Sequence, residues 1–228
     1  MALFEAHQLA CQRGERLLFL GLDFRLDAGA ALLLTGANGS GKSSLLRLAA
    51  GLSQPAAGAF HWQGQPITAE PDQHHRRCLY LGHADAVKPG LTVHENLRFW
   101  ADLAGLASGL ARDAVDRALA YFLLTDLADL PARFLSAGQK RRLGLARLLL
   151  RPARDLPLWL LDEPTTALDR QSQQRLIDLL LTHLRDGGLL ICASHEILEA
   201  IPGQRLAVDA HQPADIGVAD VMAPEAQS

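Results

Sequence analysis

The segment Gly36-Ala37-Asn38-Gly39-Ser40-Gly41-Lys42-Ser43 is the feature that most constrains how this chain can fold. It matches the pattern G-x-x-x-x-G-K-[ST], and it stands between the apolar run Ala31–Thr35 and a helical pattern from Lys42 to Ala50. Glycines allow such a loop to point its backbone N–H groups at phosphate oxygens, and the helix that follows adds its positive N-terminal end. The segment therefore predicts a phosphate-binding loop that joins a buried strand to a helix.

The last residues of this loop predict a nucleoside triphosphate with Mg²⁺ as the bound species. Lys42 is expected to reach the β- and γ-phosphates as a compact point charge, and the Ser43 hydroxyl is expected to bind Mg²⁺. A glycine-rich turn that matches the pattern by chance is the alternative, and the strand–loop–helix context argues against it. The candidate nucleotide-binding residues here are Gly36, Ala37, Asn38, Gly39, Ser40, Gly41, Lys42, Ser43 and Ser44.

A second apolar run, Leu158–Leu161, ends in the acids Asp162 and Glu163. An Asp at the carboxyl end of such a strand faces the phosphate loop and can hold Mg²⁺. Glu163, one residue later, is placed to polarise the attacking water. An ordinary strand that ends in a solvated acidic turn is the alternative for these two residues taken alone.

Strand-like and helix-like patterns alternate along the chain, which predicts an α/β fold with a largely parallel core sheet. The stretch from Leu3 to Leu26 predicts an antiparallel piece, and residues 87–135 show helices without a strand. We expect one domain over residues 1–210, a helical subdomain inserted at about 87–150, and a short polar tail at 211–228. Predicted strands are Ala31–Thr35, Cys78–Leu81, Leu158–Leu161, Leu189–Ala193 and Leu206–Val208; predicted helices are Lys42–Ala50, Thr92–Leu106, Ala111–Leu124, Ser136–Leu150 and Arg170–Arg185. The patterns T-x-x-E from Thr92 and S-x-x-Q from Ser136 predict capping boxes at the start of two of these helices.

Composition excludes several other classes of function. With 22 basic and 25 acidic side chains in 228 residues the formal net charge is −3, which argues against nucleic acid as the partner. No apolar run approaches the roughly 20 residues of a membrane span, so any membrane association is expected to go through a partner. Cys11, Cys78 and Cys192 form no C-x-x-C pair, which fits reduced thiols in a cytosol-like compartment. The pair His74-His75 lies among polar residues and is expected in an exposed loop.

Together these motifs resemble the ATP-binding subunits of ABC transporters, over essentially the whole chain. Leu135-Ser136-Ala137-Gly138-Gln139 resembles the signature of that family, with Ala137 where glycine is usual. The resemblance implies the P-loop ABC-ATPase fold and a head-to-tail dimer that sandwiches two ATP molecules. In that dimer the signature residues Ser136, Gly138 and Gln139 contact ATP held by the other copy. Asp169 corresponds to the loop that crosses the dimer interface, and His195 corresponds to the switch histidine that orients Glu163 against the γ-phosphate.

Two departures from the family pattern concern the same site. His83 stands where the family places a glutamine that contacts Mg²⁺ and water, so His83 is a candidate metal-site residue. The family often stacks adenine on an aromatic residue, and none occurs around Cys11, so the base is expected to rest on Arg13 or Arg16 or to be held weakly.

Within the family the chain is similar to the ATP-binding subunits of bacterial cytochrome c maturation exporters, through Leu79–His83, Leu91–Leu97 and Leu135–Leu149. That likeness implies ATP hydrolysis at the cytoplasmic face of the inner membrane, with membrane-spanning partners of the CcmB and CcmC types. Haem export and release of a haem-chaperone complex remain open as the work performed. The other interpretations are an exporter subunit for another substrate, a cassette ATPase without a transport role, and a nucleotide-gated binding module without turnover.

Overall fold

The computed structural model describes residues 3–194 and 199–213. In that part of the chain nine strands alternate with six α-helices and short 3-10 turns. The strands are β1 (Phe4–Arg13), β2 (Arg16–Leu26), β3 (Ala31–Thr35), β4 (Ala57–Trp62), β5 (Gln65–Pro66), β6 (Cys78–Leu81), β7 (Leu158–Asp162), β8 (Leu189–Ala193) and β9 (Gln204–Ala207). The helices are α1 (Lys42–Ala49), α2 (Pro71–Arg77), α3 (Val93–Leu103), α4 (Ser108–Tyr121), α5 (Ala137–Ala146) and α6 (Arg170–Arg185).

A parallel sheet with the strand order β6-β7-β8-β3-β9 forms the centre of the molecule. Its three middle strands, β7, β8 and β3, are almost entirely buried, because their continuous apolar runs are covered on both faces. Successive side chains of these strands point to opposite faces, and they divide the interior into two cores. On one face Leu33, Trp159 and Leu190 pack with helices α3 to α6, and on the other Leu32 and Leu160 pack with α1.

A second, antiparallel sheet with the order β2-β1-β4-β5 covers the α1 side. Its aromatic residues pack together, with the rings of Phe4 and Phe60 stacked at 5.6 Å between centroids. Gly58 is required where β4 crosses a bulge of β1, because a Cβ there would lie 2.3 Å from the carbonyl oxygen of His7. The predicted α/β fold with an antiparallel addition is confirmed. None of the described helices is long and apolar enough to span a bilayer.

Helices α3 and α5 both begin at the capping boxes that the sequence predicts. Thr92 accepts a hydrogen bond from the Glu95 N–H while the Glu95 carboxylate accepts one from the Thr92 N–H. Ser136 and Gln139 form the same reciprocal pair before α5. Each box satisfies two N–H groups that a helix start leaves without an intrahelical partner.

Several element boundaries and the environment of one histidine differ from the sequence-based expectation. The last strand is Gln204–Ala207 rather than 206–208, because its register is set by pairing with β3 and not by its own apolar residues. Helix α4 begins at Ser108 instead of residue 111, and α5 passes into a 3-10 turn after Ala146 instead of continuing to residue 150. His74 does not lie in an exposed loop: Pro71 opens helix α2, and the His74 ring is buried against Phe4, with Nε2 2.8 Å from the carbonyl oxygen of Ala49.

His183, near the end of α6, ties that helix to the parallel sheet. Its side chain is 3% exposed and stacks on Trp159 at 3.6 Å between ring centroids. Its Nε2 lies 3.1 Å from the Pro157 carbonyl oxygen and 3.2 Å from that of Leu189, so Nε2 carries the proton and donates it. Burial lowers the pKa of His183 from 6.5 to about 4, although the two carbonyls oppose that shift.

We predict that His183 makes the protein less stable as the pH falls from about 6.5 to 4. In that window the unfolded chain binds a proton at this residue and the folded chain does not, so the free energy of unfolding decreases by up to about 3 kcal/mol, and above the window the residue has no effect. Urea denaturation at several pH values measures the slope. His183→Gln is expected to flatten it, whereas the exposed His75→Gln retains it; an unchanged slope in His183→Gln would contradict this assignment.

Candidate functional site

The glycine-rich loop leaves the end of β3 and enters α1, as the motif predicts. Gly36, Gly39 and Gly41 have φ values of 126, 82 and 108°, a region that residues with a Cβ rarely adopt. A Cβ on Gly41 would also lie 3.0 Å from the Phe19 ring. The chain therefore needs glycine at these positions to curl around a small anionic group.

Two side chains of the loop have geometry that fits a bound phosphate. The ammonium group of Lys42 donates to the carbonyl oxygens of Gly36 at 2.6 Å and Ala37 at 3.1 Å, so it lies inside the curl of the loop. Ser40 is 1% exposed, and within the described chain its Oγ has no hydrogen-bond partner. A buried hydroxyl without a partner is costly, and a phosphate oxygen would satisfy it.

Asp162 closes the same site from the carboxyl end of β7. Its side chain is 6% exposed, and together with Ser43 and His83 it lines a cavity of about 740 Å³. Hydroxyl and carboxylate oxygens are the donors that Mg²⁺ prefers, so Ser43 and Asp162 fit a magnesium ion. His83, which the sequence predicts as a metal-site residue, is exposed and lies at the rim of the same cavity.

Residues of β1 and α1 also line the cavity. Cys11, Gln12 and Arg13 of β1 do so together with Arg47 of α1. Arg13 is thus one of the cationic side chains that line this cavity. That Arg13 or Arg16 holds adenine stays a prediction.

Glu163 follows Asp162 in a left-handed backbone conformation with φ 46°. Its N–H donates to the Ala193 carbonyl oxygen of β8 at 2.7 Å, and its own carbonyl oxygen accepts from the Thr166 N–H at 3.2 Å. His195, predicted to act with Glu163, lies outside the described residues.

The signature residues stand at the start of α5, outside the lining of the 740 Å³ cavity. Ser136 and Gln139 cap the helix, and Gly138 lies against the loop that follows Glu163: a Cβ there would be 2.7 Å from the Ala167 carbonyl oxygen. Asp169 caps α6, and the N–H and hydroxyl of Ser172 lower the pKa of its carboxyl. One copy of the chain therefore brings Lys42, Ser43, His83 and Asp162 together and leaves Ser136, Gly138, Gln139 and Asp169 apart from them.

Two residues at the site were missed by the sequence analysis. Arg141 is 4% exposed and donates to carbonyl oxygens of the Asp162–Pro164 turn. Asp209, in the 3-10 turn after β9, accepts a hydrogen bond from the Ala37 N–H at 3.1 Å. A Cβ on Gly36 would lie 3.0 Å from the Asp209 carboxylate. No local sequence pattern identifies either residue, because each contacts a segment that is far away in the sequence.

Comparison with known proteins places this geometry in a family. Residues 19–166 match the ABC transporter family. The cytochrome c biogenesis ATP-binding export protein CcmA of Rhodospirillum rubrum is 54% identical, over 93% of this chain and 88% of its own length. That of Paramagnetospirillum magneticum is 52% identical, over 90% of this chain and 94% of its own.

Solved structures share the fold at lower identity. The ATP-binding subunit of an ABC transporter superposes with a TM-score of 0.80 at 23% identity, covering 96% of this chain and 91% of its own. A dimeric ATP-binding cassette in a post-hydrolysis state, bound to ADP and phosphate, superposes with a TM-score of 0.77 at 22% identity. The match covers 90% of this chain and 95% of that one.

We predict that Gly41→Ala weakens ATP binding at least about tenfold, because the new Cβ meets Phe19 at 3.0 Å in a backbone conformation that alanine avoids. Gly109→Ala in the first turn of α4 is the matched control, since open space surrounds that position and its backbone is helical. Equilibrium binding of ATP compares the two. Equal dissociation constants for Gly41→Ala and the wild type would show that phosphate binds elsewhere.

Proposed function

The chain belongs to the ABC transporter ATPase family, and on that premise we propose that it is the ATP-hydrolysing subunit of a transporter for c-type cytochrome biogenesis. The observation that carries the proposal is the meeting of Ser43 and Asp162 in one cavity beside the Lys42 loop. The two relatives named for cytochrome c biogenesis match this chain over nine-tenths of its length. In this role the chain energises haem export or the release of a haem-chaperone complex.

In the proposed reaction the loop residues hold the phosphates and Glu163 handles the proton. Lys42 and the backbone N–H groups of residues 36–44 bind and orient the β- and γ-phosphates, and Ser43 and Asp162 hold Mg²⁺ with His83 at the rim. When bound, Mg²⁺ neutralises charge that develops between the two phosphates. Glu163 accepts a proton from the water that attacks the γ-phosphate, and His195 orients Glu163.

The complete site requires a second copy of the chain. Ser136, Gly138 and Gln139 lie at an exposed helix start, apart from the cavity that holds the phosphates. A head-to-tail dimer would bring this helix start, with its positive end, onto the γ-phosphate of the other copy. Asp169 and the Ala167 loop stand beside the signature and form part of the same dimer surface.

The membrane partners, of CcmB and CcmC types, are expected to dock beside α3, at the cytoplasmic face of the inner membrane. A cleft of about 620 Å³ opens there between β6 and α3, lined by Leu79, Trp100 and Leu103. Leu103 is 67% exposed, and Arg147, whose pKa burial lowers to about 10, lies 3.6 Å from the centre of the Trp100 ring. An apolar cleft with a cationic wall fits a short partner segment that carries an acidic residue.

Glu163→Gln is predicted to lower the rate of ATP hydrolysis at least about a hundredfold while ATP binding persists, because the amide cannot accept the proton. Steady-state hydrolysis and retention of labelled ATP measure the two properties. Size-exclusion chromatography with MgATP is expected to show Glu163→Gln as a dimer. Hydrolysis at the wild-type rate would refute Glu163 as the base.

Expression with the membrane proteins encoded beside it is predicted to co-purify this chain with a membrane-spanning partner, and Leu103→Asp is predicted to abolish that association. Leu110→Asp is the matched control, because Leu110 is 65% exposed but lies on α4, away from this cleft. Quantitative blotting of the detergent-solubilised complex compares the two. If the chain co-purified only with proteins that lack membrane spans, the transporter role would be refuted.

A further inference from the structure

Arg141, in the second turn of α5, joins three segments that the proposed reaction uses. We propose that Arg141 is a positioning residue for hydrolysis, which holds the turn carrying Glu163 and the loop carrying His83 in fixed relation to the signature helix. The inference rests on the proposed function, because it takes Glu163 as the base. Arg141 itself touches neither phosphate nor water in this role; it acts through the backbone of its neighbours.

Toward the base, the guanidinium group binds three successive carbonyl oxygens. Its Nη2 donates to Asp162 at 3.0 Å and to Glu163 at 2.6 Å, and its Nε donates to Pro164 at 3.1 Å. Glu163 has the left-handed φ of 46°, a backbone conformation that residues with a Cβ rarely adopt. Three donated hydrogen bonds hold the carbonyls in the directions that this conformation requires, and they therefore aim the Glu163 side chain.

Toward the loop after β6, the same group binds on both sides of His83. Nη1 donates to the Gly82 carbonyl oxygen at 3.2 Å and to the Asp85 carboxylate at 2.7 Å. This ion pair is largely shielded, with side-chain exposures of 5% for Arg141 and 24% for Asp85. Gly144, one turn further along α5, lets the Asp85 segment pack closely, since a Cβ there would lie 3.3 Å from it.

The residue type explains why one side chain can join these segments. A guanidinium group offers five N–H donors in a planar fork, and here Nε and Nη2 have their acceptors in the turn that carries Glu163, whereas Nη1 has its acceptors in the loop that carries His83. A lysine ammonium is a single point and cannot reach the same five acceptors. When α5 moves, this fork transmits the movement to Glu163 and to the His83 loop together.

Arg141→Gln in the full chain is expected to lower kcat at least about tenfold and to leave KM within about twofold, because the phosphate loop keeps its geometry. Nucleotide retained after incubation with MgATP is expected to be ATP rather than ADP. Arg141→Lys is expected to recover part of kcat, since it restores the charge but not the fork. Arg112→Gln is the matched control: it removes another arginine beside an aspartate, at a 79% exposed surface position, and is expected to hydrolyse ATP at the wild-type rate.

Asp85→Asn, which keeps the shape of the side chain and the carbonyl bonds of Arg141, is the second variant and is expected to give a loss smaller than that of Arg141→Gln. A wild-type kcat in Arg141→Gln would overturn the proposal. The proposal would also be overturned if Arg141→Gln lowered Tm and kcat together and retained no nucleotide, because the residue would then have only a structural role. Wild-type hydrolysis by Glu163→Gln, with a reduced kcat in Arg141→Gln, would refute the proposed base and leave Arg141 important for another reason.

Discussion

The parallel pairing of β3, β7 and β8 is the constraint on which the whole site depends. Their carboxyl ends lie at one edge of the sheet, so the phosphate loop after Thr35 and the acids after Leu161 meet there although they are far apart in sequence. The pairing also places Ala193 beside Glu163, and the Ala193 carbonyl oxygen accepts a hydrogen bond from the Glu163 N–H. A register change in β7 by one residue would turn Asp162 away from Ser43, since side chains alternate between faces.

The parts that sequence predicts best are those specified by local physics. The strands β3, β7 and β8 are continuous apolar runs bounded by turn residues, and this pattern alone indicates burial on both faces. Capping boxes at Thr92 and Ser136 satisfy N–H groups within one turn, and both were predicted. The phosphate loop belongs to the same class, because its glycines and its lysine act within eight residues.

Long-range contacts account for what sequence reasoning missed. His74 is surrounded by polar neighbours in the chain, yet Pro71 starts a helix that turns it toward Phe4 and Ala49. The limits of β9 depend on hydrogen bonds to β3, and local hydrophobicity placed the strand two residues too late. Arg141 looks like one more basic residue of an amphipathic helix. Its partners lie 21 to 59 residues away, and nothing in the local pattern identifies them.

The location of these contacts bears on how ATP hydrolysis is controlled. One copy already forms the cavity that is proposed to hold the phosphates, whereas the start of α5 that is proposed to complete the site lies outside the lining of that cavity. Docking of a second copy on that helix start would press on α5, and α5 is bonded through Arg141 to the turn of Glu163 and to the loop of His83. The same helix leads, through the 3-10 turn that begins at Arg147, to the cleft proposed for the membrane partner. In the proposed function, a rigid connection of this kind would make the geometry of Glu163 depend on both proposed interfaces, so that hydrolysis would follow assembly instead of running freely.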